Sequence, residues 1–314
     1  MKKKKVAQAV RLAGFFFSLI ALLFVGKSFW DQRKFLLGID LRSVAIIAIA
    51  CSLLYLLANL ILVIAWKMLL HWFGEAQLSL IDGIRTYGQA QILKYIPGNI
   101  FSLPGRHLLS IQQGIEHGPL IGAAMFEIIG LLTTSSAVSI LGILLNRGNV
   151  MRLSLLGAFI VFLLALASPF AIRYMLSREF VLKKLPVFQL MNWGDYSHLM
   201  GIWLLYFCFF MLTGLILFWI TSAMQGSWGI APWTVISSTF AVSWLLGFVT
   251  PGSPAGVGVR EGIIILILSN YLGEPASVVI SLIMRVITMT GDVLFYFCGL
   301  FLRGKDSMRF HPVR

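Results

Sequence analysis

The chain has 314 residues, of which 59% are hydrophobic and 12% charged, and its mean hydropathy is +0.89. The apolar density never falls for long enough to accommodate a soluble domain, so the composition indicates one polytopic membrane domain over residues 1–314. The formal net charge of +13 does not indicate a nucleic-acid partner, because the basic residues stand mainly at the ends of apolar segments.

Six apolar segments are long enough to cross a bilayer, which takes about 20 residues: 12–30, 43–70, 119–145, 151–172, 198–222 and 276–302. The basic start Met1–Lys5 before the first segment resembles a signal peptide, but Gly26 to Trp30 offers no small-residue cleavage site, so a retained helix is predicted. Two further regions, 79–113 and 230–272, each predict a pair of shorter helices meeting at a proline–glycine break. The predicted fold class is an all-α polytopic membrane protein with about six spanning helices plus two broken, re-entrant helix pairs.

The basic residues predict the orientation of the chain. The richest groups precede the first span, lie between the fourth and fifth spans, and follow the last one. Six spans place all three groups on one face, which the positive-inside rule identifies as the cytoplasm. Both termini are therefore predicted to be cytoplasmic.

The two broken regions correspond to each other in sequence. Pro97-Gly98 with Arg106, and Pro251-Gly252 with Arg260, share the same proline-to-arginine spacing. The same offset lays span 43–70 on 198–222 and span 119–145 on 276–302. This pattern predicts an inverted-topology repeat with halves 43–145 and 198–302, whose broken helices meet near the midplane and form a site. We expect Arg106 and Arg260 to face one polar cavity.

Four charged residues at the breaks are candidate contacts for a lipid phosphate or headgroup: Lys94, Arg106, Arg260 and Glu261. Broken backbone is tolerated at membrane depth only where protein buries it or where it lines a wet cavity. A cation beside free backbone N–H groups suits phosphate, and arginine offers it a two-pronged donor. The alternatives are that Lys94 and Arg106 reach the lipid headgroups, and that Arg260 and Glu261 form a helix-end pair at the water boundary.

Three more charges interrupt apolar spans and form a predicted buried polar network: Glu127, Arg285 and Asp292. Arg285 and Asp292 fall on one helical face and can neutralise each other, or Glu127 can pair with Arg285 across the repeat axis. Either arrangement can also carry a proton or orient a headgroup.

Motifs of the common enzyme classes are absent from the sequence. It contains no Walker A, HExxH or GxSxG pattern, and the histidines and cysteines show no metal-ligand spacing. We therefore predict no metal site, no cofactor and no ATP hydrolysis, and we expect a protein that is not an enzyme.

The two motifs resemble those of a known family. The runs Lys94-Tyr95-Ile96-Pro97-Gly98 with Arg106, and Pro251-Gly252 through Gly256-Val257-Gly258-Val259-Arg260-Glu261, resemble the lysylphosphatidylglycerol synthase transmembrane-domain family, which includes the flippase half of the multiple peptide resistance factor. The resemblance implies a flippase-like membrane domain that handles anionic lipids or lipid-linked glycans, with Arg106, Arg260 and Glu261 as headgroup contacts. The family's Pro-Gly-Gly stands here as Pro254-Ala255-Gly256, which makes the turn stiffer. No aminoacyl-transferase domain follows in this sequence, so lysyl transfer is not expected.

The expected function is transport of an anionic phospholipid or a polyprenyl-phosphate-linked glycan between the leaflets of a bacterial inner membrane. Arg106 and Arg260 would hold the phosphate while Glu261 positions Arg260, and a gradient, the membrane potential or protons would drive movement. One alternative is an intramembrane transferase with Glu261 or Glu127 as general base. Another is a non-catalytic partner of a cell-envelope glycosyltransferase or synthase.

Overall fold

The computed structural model describes residues 41–74, 78–95, 102–144, 196–225, 233–250 and 253–302, together with Lys27 and Trp30. Across these residues every regular element is a helix, and five helices are long and apolar enough to cross a membrane. The chain is thus an all-α polytopic membrane protein, as the composition predicts. The predicted spans 12–30 (apart from Lys27 and Trp30) and 151–172 lie outside the described residues.

The described helices are, in chain order, α1 Leu41–Trp72, α2 Leu80–Gln91, α3 Ser102–Ile111, α4 His117–Leu144, α5 Tyr196–Gln225, α6 Trp233–Val249, α7 Val259–Leu272 and α8 Glu274–Phe301. A 3₁₀ turn, Ile92–Tyr95, continues α2, and another, Pro254–Gly256, precedes α7. The helices α1, α4, α5 and α8 confirm the predicted spans 43–70, 119–145, 198–222 and 276–302. Helical backbone satisfies its own hydrogen bonds, as hydrocarbon surroundings demand.

Both broken regions contain the predicted pairs of shorter helices. The first pair is α2 and α3, with 12 and 10 residues, and the second is α6 and α7, with 17 and 14 residues. The Pro97-Gly98 and Pro251-Gly252 pairs themselves lie outside the described residues. The second broken region is longer than the first. Its turn and α7 together, Pro254–Leu272, are long and apolar enough to cross a membrane. The re-entrant course of both regions stays a prediction.

The turn before α7 has left-handed backbone at three positions. Ala255 has φ 48° and ψ 27°, while Gly256 and Gly258 have φ 71° and 83°. Glycine adopts this conformation freely, whereas alanine pays a steric cost. The helix then begins at Val259, and its first turn is capped by Glu261, whose Oε2 accepts a hydrogen bond from the Gly258 N–H at 2.6 Å.

The helices pack crosswise between the two predicted halves. Helix α2 lies against α8, α6 lies against α4, and α1 lies against α5. Glycines make both of the first two crossings close: a Cβ at Gly88 would stand 2.7 Å from the Phe295 carbonyl oxygen, and one at Gly142 would overlap the Ser238 side chain. The repeat with halves 43–145 and 198–302 stays a prediction.

Apolar side chains form both the interior and the outer surface. The largest fully buried side chains include Trp66, Phe126, Tyr206 and Phe295. Helices α1, α5 and α8 also expose apolar side chains, including Leu53, Leu57, Met200, Leu204 and Leu300. An apolar outer surface suits lipid contact. The charged residues in the middle of α4 and α8, including Glu127 and Asp292, are instead buried inside the protein, and they define the site.

Candidate functional site

Buried charges gather in two places beside the broken helices. The first group, which we call the Arg106 cluster, consists of Trp66, Tyr87, Arg106 and Glu127. The second group, which we call the Arg260 cluster, consists of Lys94, Tyr95, Arg260, Glu261, Arg285 and Asp292. The two clusters thus contain every residue that the sequence singles out as a headgroup contact or a member of the buried network.

The Arg106 cluster is a neutral, enclosed ion pair. The guanidinium donates from Nη1 to Glu127 Oε1 at 3.1 Å, and its Nη2 contacts Glu127 Oε2. Tyr87 donates its hydroxyl to the same carboxylate at 2.8 Å, and the guanidinium carbon stands 4.4 Å and 4.8 Å from the ring centres of Tyr87 and Trp66. The alternative pairing of Glu127 with Arg285 is wrong, because Glu127 faces Arg106. Because of this two-pronged contact, the Arg106 guanidinium is already occupied by the Glu127 carboxylate.

A small cavity adjoins this ion pair. Its volume is about 40 Å³, and its lining comprises Tyr87, Ala90, Gln91, Ser102, Leu103, Arg106 and Glu127. A water needs roughly 10–15 Å³ on this measure, so the cavity has room for a few water molecules and not for a lipid headgroup. Arg260 is not among the lining residues, so this cavity is not the predicted one common to Arg106 and Arg260.

Asp292 of α8 is the centre of the polar contacts in the Arg260 cluster. Its side chain is fully buried and lies 2.7 Å from Lys94 Nζ. It also accepts a hydrogen bond from the Tyr95 hydroxyl at 2.6 Å and one from Gln91 Nε2 at 3.3 Å. The partner of Asp292 is therefore Lys94, and the predicted alternative of mutual neutralisation with Arg285 along α8 is not observed. With these contacts Asp292 is a fully satisfied buried carboxylate.

Glu261 holds Arg285 and not Arg260. Arg285 Nε lies 3.4 Å from Glu261 Oε1, and its Nη1 donates to the Ala255 carbonyl oxygen at 3.2 Å. The other Glu261 oxygen caps α7 at Gly258. The expectation that Glu261 positions Arg260 is thus wrong, and the reason is geometric: side chains at consecutive helical positions do not face each other.

Arg260 packs in a narrow slot between α6 and the turn before α7. A Cβ added at Gly247 would stand 2.6 Å from Arg260 Cγ, and one at Gly256 would stand 2.8 Å from Arg260 Nε. The Trp244 ring centre is 5.9 Å from the guanidinium carbon. Both glycines therefore make space for this side chain, and the arginine is held by packing and by an aromatic face.

Two guanidinium nitrogens of the Arg260 cluster are buried without a hydrogen-bond partner among the described residues: Arg260 Nε and Arg285 Nη2. The two arginines are also close enough for their like charges to act on each other. With every side chain in its ordinary ionised form, the cluster carries three positive charges and two negative ones. An excess positive charge with free donors inside a protein is chemistry that suits an anion.

Gln91 joins the two clusters. Its Nε2 donates to Asn59 Oδ1 at 3.2 Å as well as to Asp292, while its side chain lines the cavity next to Arg106. Tyr87, Gln91 and Tyr95 are not among the predicted site residues. Their spacing of four residues along α2 and its 3₁₀ extension was a usable signal, because it places hydroxyl and amide groups on one helical face.

A histidine pair connects the segments on either side of the α3–α4 turn. His107 Nε2 lies 3.0 Å from His117 Nδ1. His107 stands outside the five spans, and partial burial, followed by the charge that His117 can carry, holds its pKa below the ordinary value. In the part of the chain that the structure describes, no three histidine, cysteine or acidic side chains gather in a way that could hold a metal ion.

Comparison of the chain with profiles of known protein families and with curated protein sequences found no match. Its class is therefore defined by fold and site: a multi-pass all-α membrane protein with two buried charge clusters beside its broken helices.

Proposed function

We propose that this protein is a flippase-like transporter that moves a phosphate-bearing anionic lipid, or a lipid-linked glycan, between the leaflets of a bacterial cytoplasmic membrane. The observation that carries the proposal is the Arg260 cluster, in which Arg260 Nε and Arg285 Nη2 are buried donors without a partner among the described residues. The topology with both termini in the cytoplasm belongs to the same proposal.

Burying a charged side chain costs free energy. An arginine at membrane depth is expensive unless an anion compensates it, and evolution retains such groups mainly where they act on a substrate. Two arginines presenting free N–H groups match the oxygens of a phosphate, which is the usual partner of guanidinium forks. The resemblance of the two proline–glycine motifs to a flippase family supports the same substrate class.

The contacts indicate a different role for each predicted site residue. In the proposal Arg260 and Arg285 bind the phosphate, and Glu261 holds Arg285 in place. Lys94, predicted as a headgroup contact, instead compensates Asp292. Arg106, also predicted as a headgroup contact, is assigned a structural role, because Glu127 already occupies its guanidinium.

A transport cycle must open a path that this conformation keeps closed. The cavity of about 40 Å³ beside Arg106 holds only a few waters. The proposal therefore requires the broken helices to separate from α4 and α8, and this would expose Gln91 and the Arg260 cluster to a headgroup. Rigid movement of one repeat against the other around a central site is the general mode for such folds.

The transferase alternative gains no support from the geometry. It needs Glu127 or Glu261 as a general base, and a base must reach the proton that it removes. Glu127 is paired with Arg106, and Glu261 is shared between the α7 N-terminus and Arg285.

The direct test is lipid translocation in reconstituted liposomes containing phosphatidylglycerol with a fluorescent label. A membrane-impermeant quencher reports how much label reaches the outer leaflet. Wild-type protein should accelerate exchange between leaflets, and Arg260→Gln should slow it by roughly tenfold or more, because one charge-assisted contact is worth about 1.5–3 kcal/mol. Arg260 is well suited to this test because it forms no ion pair with any described residue, so its replacement leaves no carboxylate unpaired.

Arg85→Gln is the matched control, since Arg85 lies on α2 and forms no ion pair with a residue of either cluster, so its replacement should leave translocation unchanged. Equal rates for the Arg260 and Arg85 variants, or no translocation of labelled lipid by the wild type, would refute the proposal.

A further inference from the structure

We infer that the Arg260 cluster selects headgroups carrying one negative charge, as a phosphodiester does, over headgroups carrying two, such as a phosphomonoester dianion or a diphosphate. The inference deepens the proposed function and rests on it. It concerns which phosphate chemistry the site accepts, and it follows from the charges and the free donors of the cluster.

The charge count comes from the pairing within the cluster. Lys94 and Asp292 cancel each other across 2.7 Å, and Arg285 is offset by Glu261 at 3.4 Å. Arg260 is left as the one cation of the cluster without a carboxylate partner among the described residues. A ligand with a single negative charge therefore brings the occupied site to neutrality.

Neutrality matters more here than at a water-exposed site. Attraction and repulsion between charges grow as the effective dielectric constant falls, and a net charge at membrane depth is costly in either sign. A dianion would leave the occupied site with an excess negative charge facing Asp292 and Glu261, both of which are at least 95% buried. Like charges brought together in a desolvated site strongly disfavour the wrong ligand.

The buried free donors are compatible with a phosphodiester. Arg260 Nε and Arg285 Nη2 are two buried donors without partners, on two different guanidinium groups. A phosphodiester has two non-bridging oxygens that share one negative charge, so each can accept from one arginine. The other two nitrogens of Arg285 already contact Glu261 and the Ala255 carbonyl oxygen, so Nη2 is the nitrogen that Arg285 offers to a phosphate.

The test compares two labelled lipids in the same liposome assay at pH 8.5: phosphatidylglycerol, a phosphodiester with one charge, and phosphatidate, a phosphomonoester close to two. Wild-type protein should translocate phosphatidylglycerol faster by about tenfold or more, the ratio expected when one uncompensated charge is added to a desolvated site. Asp292→Asn adds one positive charge to the cluster and should shift the ratio toward phosphatidate by a similar factor.

The double variant Lys94→Met with Asp292→Asn provides the matched control. It removes one charge of each sign, so the net charge of the cluster returns to that of the wild type, and the lipid preference should return with it. Where Asp292→Asn protein is aggregated in size-exclusion chromatography, Glu261→Gln replaces it, because it also removes one negative charge. Should both single variants aggregate, the wild-type ratio decides alone.

The outcomes separate this inference from the proposed function. Translocation of both lipids at equal rates by the wild type, or an unchanged ratio in a folded Asp292→Asn protein, overturns the charge selection and leaves the transporter proposal standing. A wild-type protein that moves neither lipid overturns both.

Discussion

The Arg106 guanidinium and the Glu127 carboxylate face each other within a cage of aromatic rings, with Arg106 Nη1 3.1 Å from Glu127 Oε1. Both residues are at least 95% buried, and Tyr87 and Trp66 lie over the guanidinium. The pair connects α3 with α4. It therefore holds the second helix of the first broken region against a spanning helix.

Removing one charge of this pair should strongly destabilise the folded protein. We expect Glu127→Gln to lower the free energy of unfolding by roughly 3–5 kcal/mol, because it leaves a buried arginine uncompensated. Tyr87→Phe removes one hydrogen bond to the same carboxylate and should cost only about 1 kcal/mol. Denaturant or thermal unfolding in detergent micelles measures both, and two equally mild effects would show that the pair is not truly desolvated.

The close crossing of α2 and α8 gives a second prediction. A Cβ at Gly88 would stand 2.7 Å from the Phe295 carbonyl oxygen, so Gly88→Ala forces the helices apart and should cost about 1–3 kcal/mol. Gly262 lies in α7 with nothing within 4 Å of an added Cβ. Gly262→Ala should therefore be neutral or stabilising by up to about 1 kcal/mol, from helix propensity alone. The melting temperatures of the two variants, measured in the same detergent, test this prediction. It fails if Gly88→Ala melts at a higher temperature than Gly262→Ala.

The left-handed conformation of Ala255 predicts a third result. Its φ of 48° carries a steric cost of about 1–2 kcal/mol that glycine avoids, while glycine adds up to about 1 kcal/mol of freedom to the unfolded chain. We expect Ala255→Gly to leave stability unchanged or to raise it by about 1 kcal/mol.

Ala255→Val should instead destabilise the turn, since a β-branched residue is a strong outlier at this φ, and it should weaken translocation because the Ala255 carbonyl holds Arg285. Unfolding curves and the liposome assay report the two effects, and a valine variant with wild-type behaviour in both would contradict the prediction.

The His107–His117 pair predicts acid sensitivity. The pKa of His107 in the folded protein lies below its ordinary value of about 6.5, so the unfolded chain takes up this proton first as pH falls. The stabilisation is complete above the ordinary pKa and is lost as pH falls through the lower folded value. The melting temperature of the wild type should therefore fall more between pH 8 and pH 5 than that of His107→Gln. If the melting temperatures of the two proteins fall equally with pH, the histidine pair does not contribute to the acid sensitivity.

The helices were predictable from sequence, and the side-chain partners mostly were not. Length and apolarity alone determine α1, α4, α5 and α8, because lipid surroundings leave few alternatives to a helix. The adjacency of Arg260 and Glu261 suggested a pair, although neighbours on a helix point in different directions. The true partner of Glu261 is Arg285, which is brought in by the packing of α7 against α8.

The two halves differ in the position of their buried carboxylates, although the proline-to-arginine spacing is the same in both. Glu127 lies in the first half of α4, whereas Asp292 lies in the second half of α8. Within the described residues an acidic partner is therefore available to Arg106 and not to Arg260, although the two arginines occupy matching places after their breaks. Backbone spacing predicted a common cavity, while the unequal placement of the carboxylates produces two different clusters.

The crosswise packing of α2 on α8 and of α6 on α4 bears on how the molecule is made. The ribosome completes α2 long before α8 exists, so the glycine face around Gly88 has to wait in the membrane for its partner. Helices α2 and α6 are each buried against the last spanning helix of the other half, whereas α7 packs against α8 within its own half. Each half therefore supplies the surface that covers the first broken helix of the other, so neither half is completely packed before both are made.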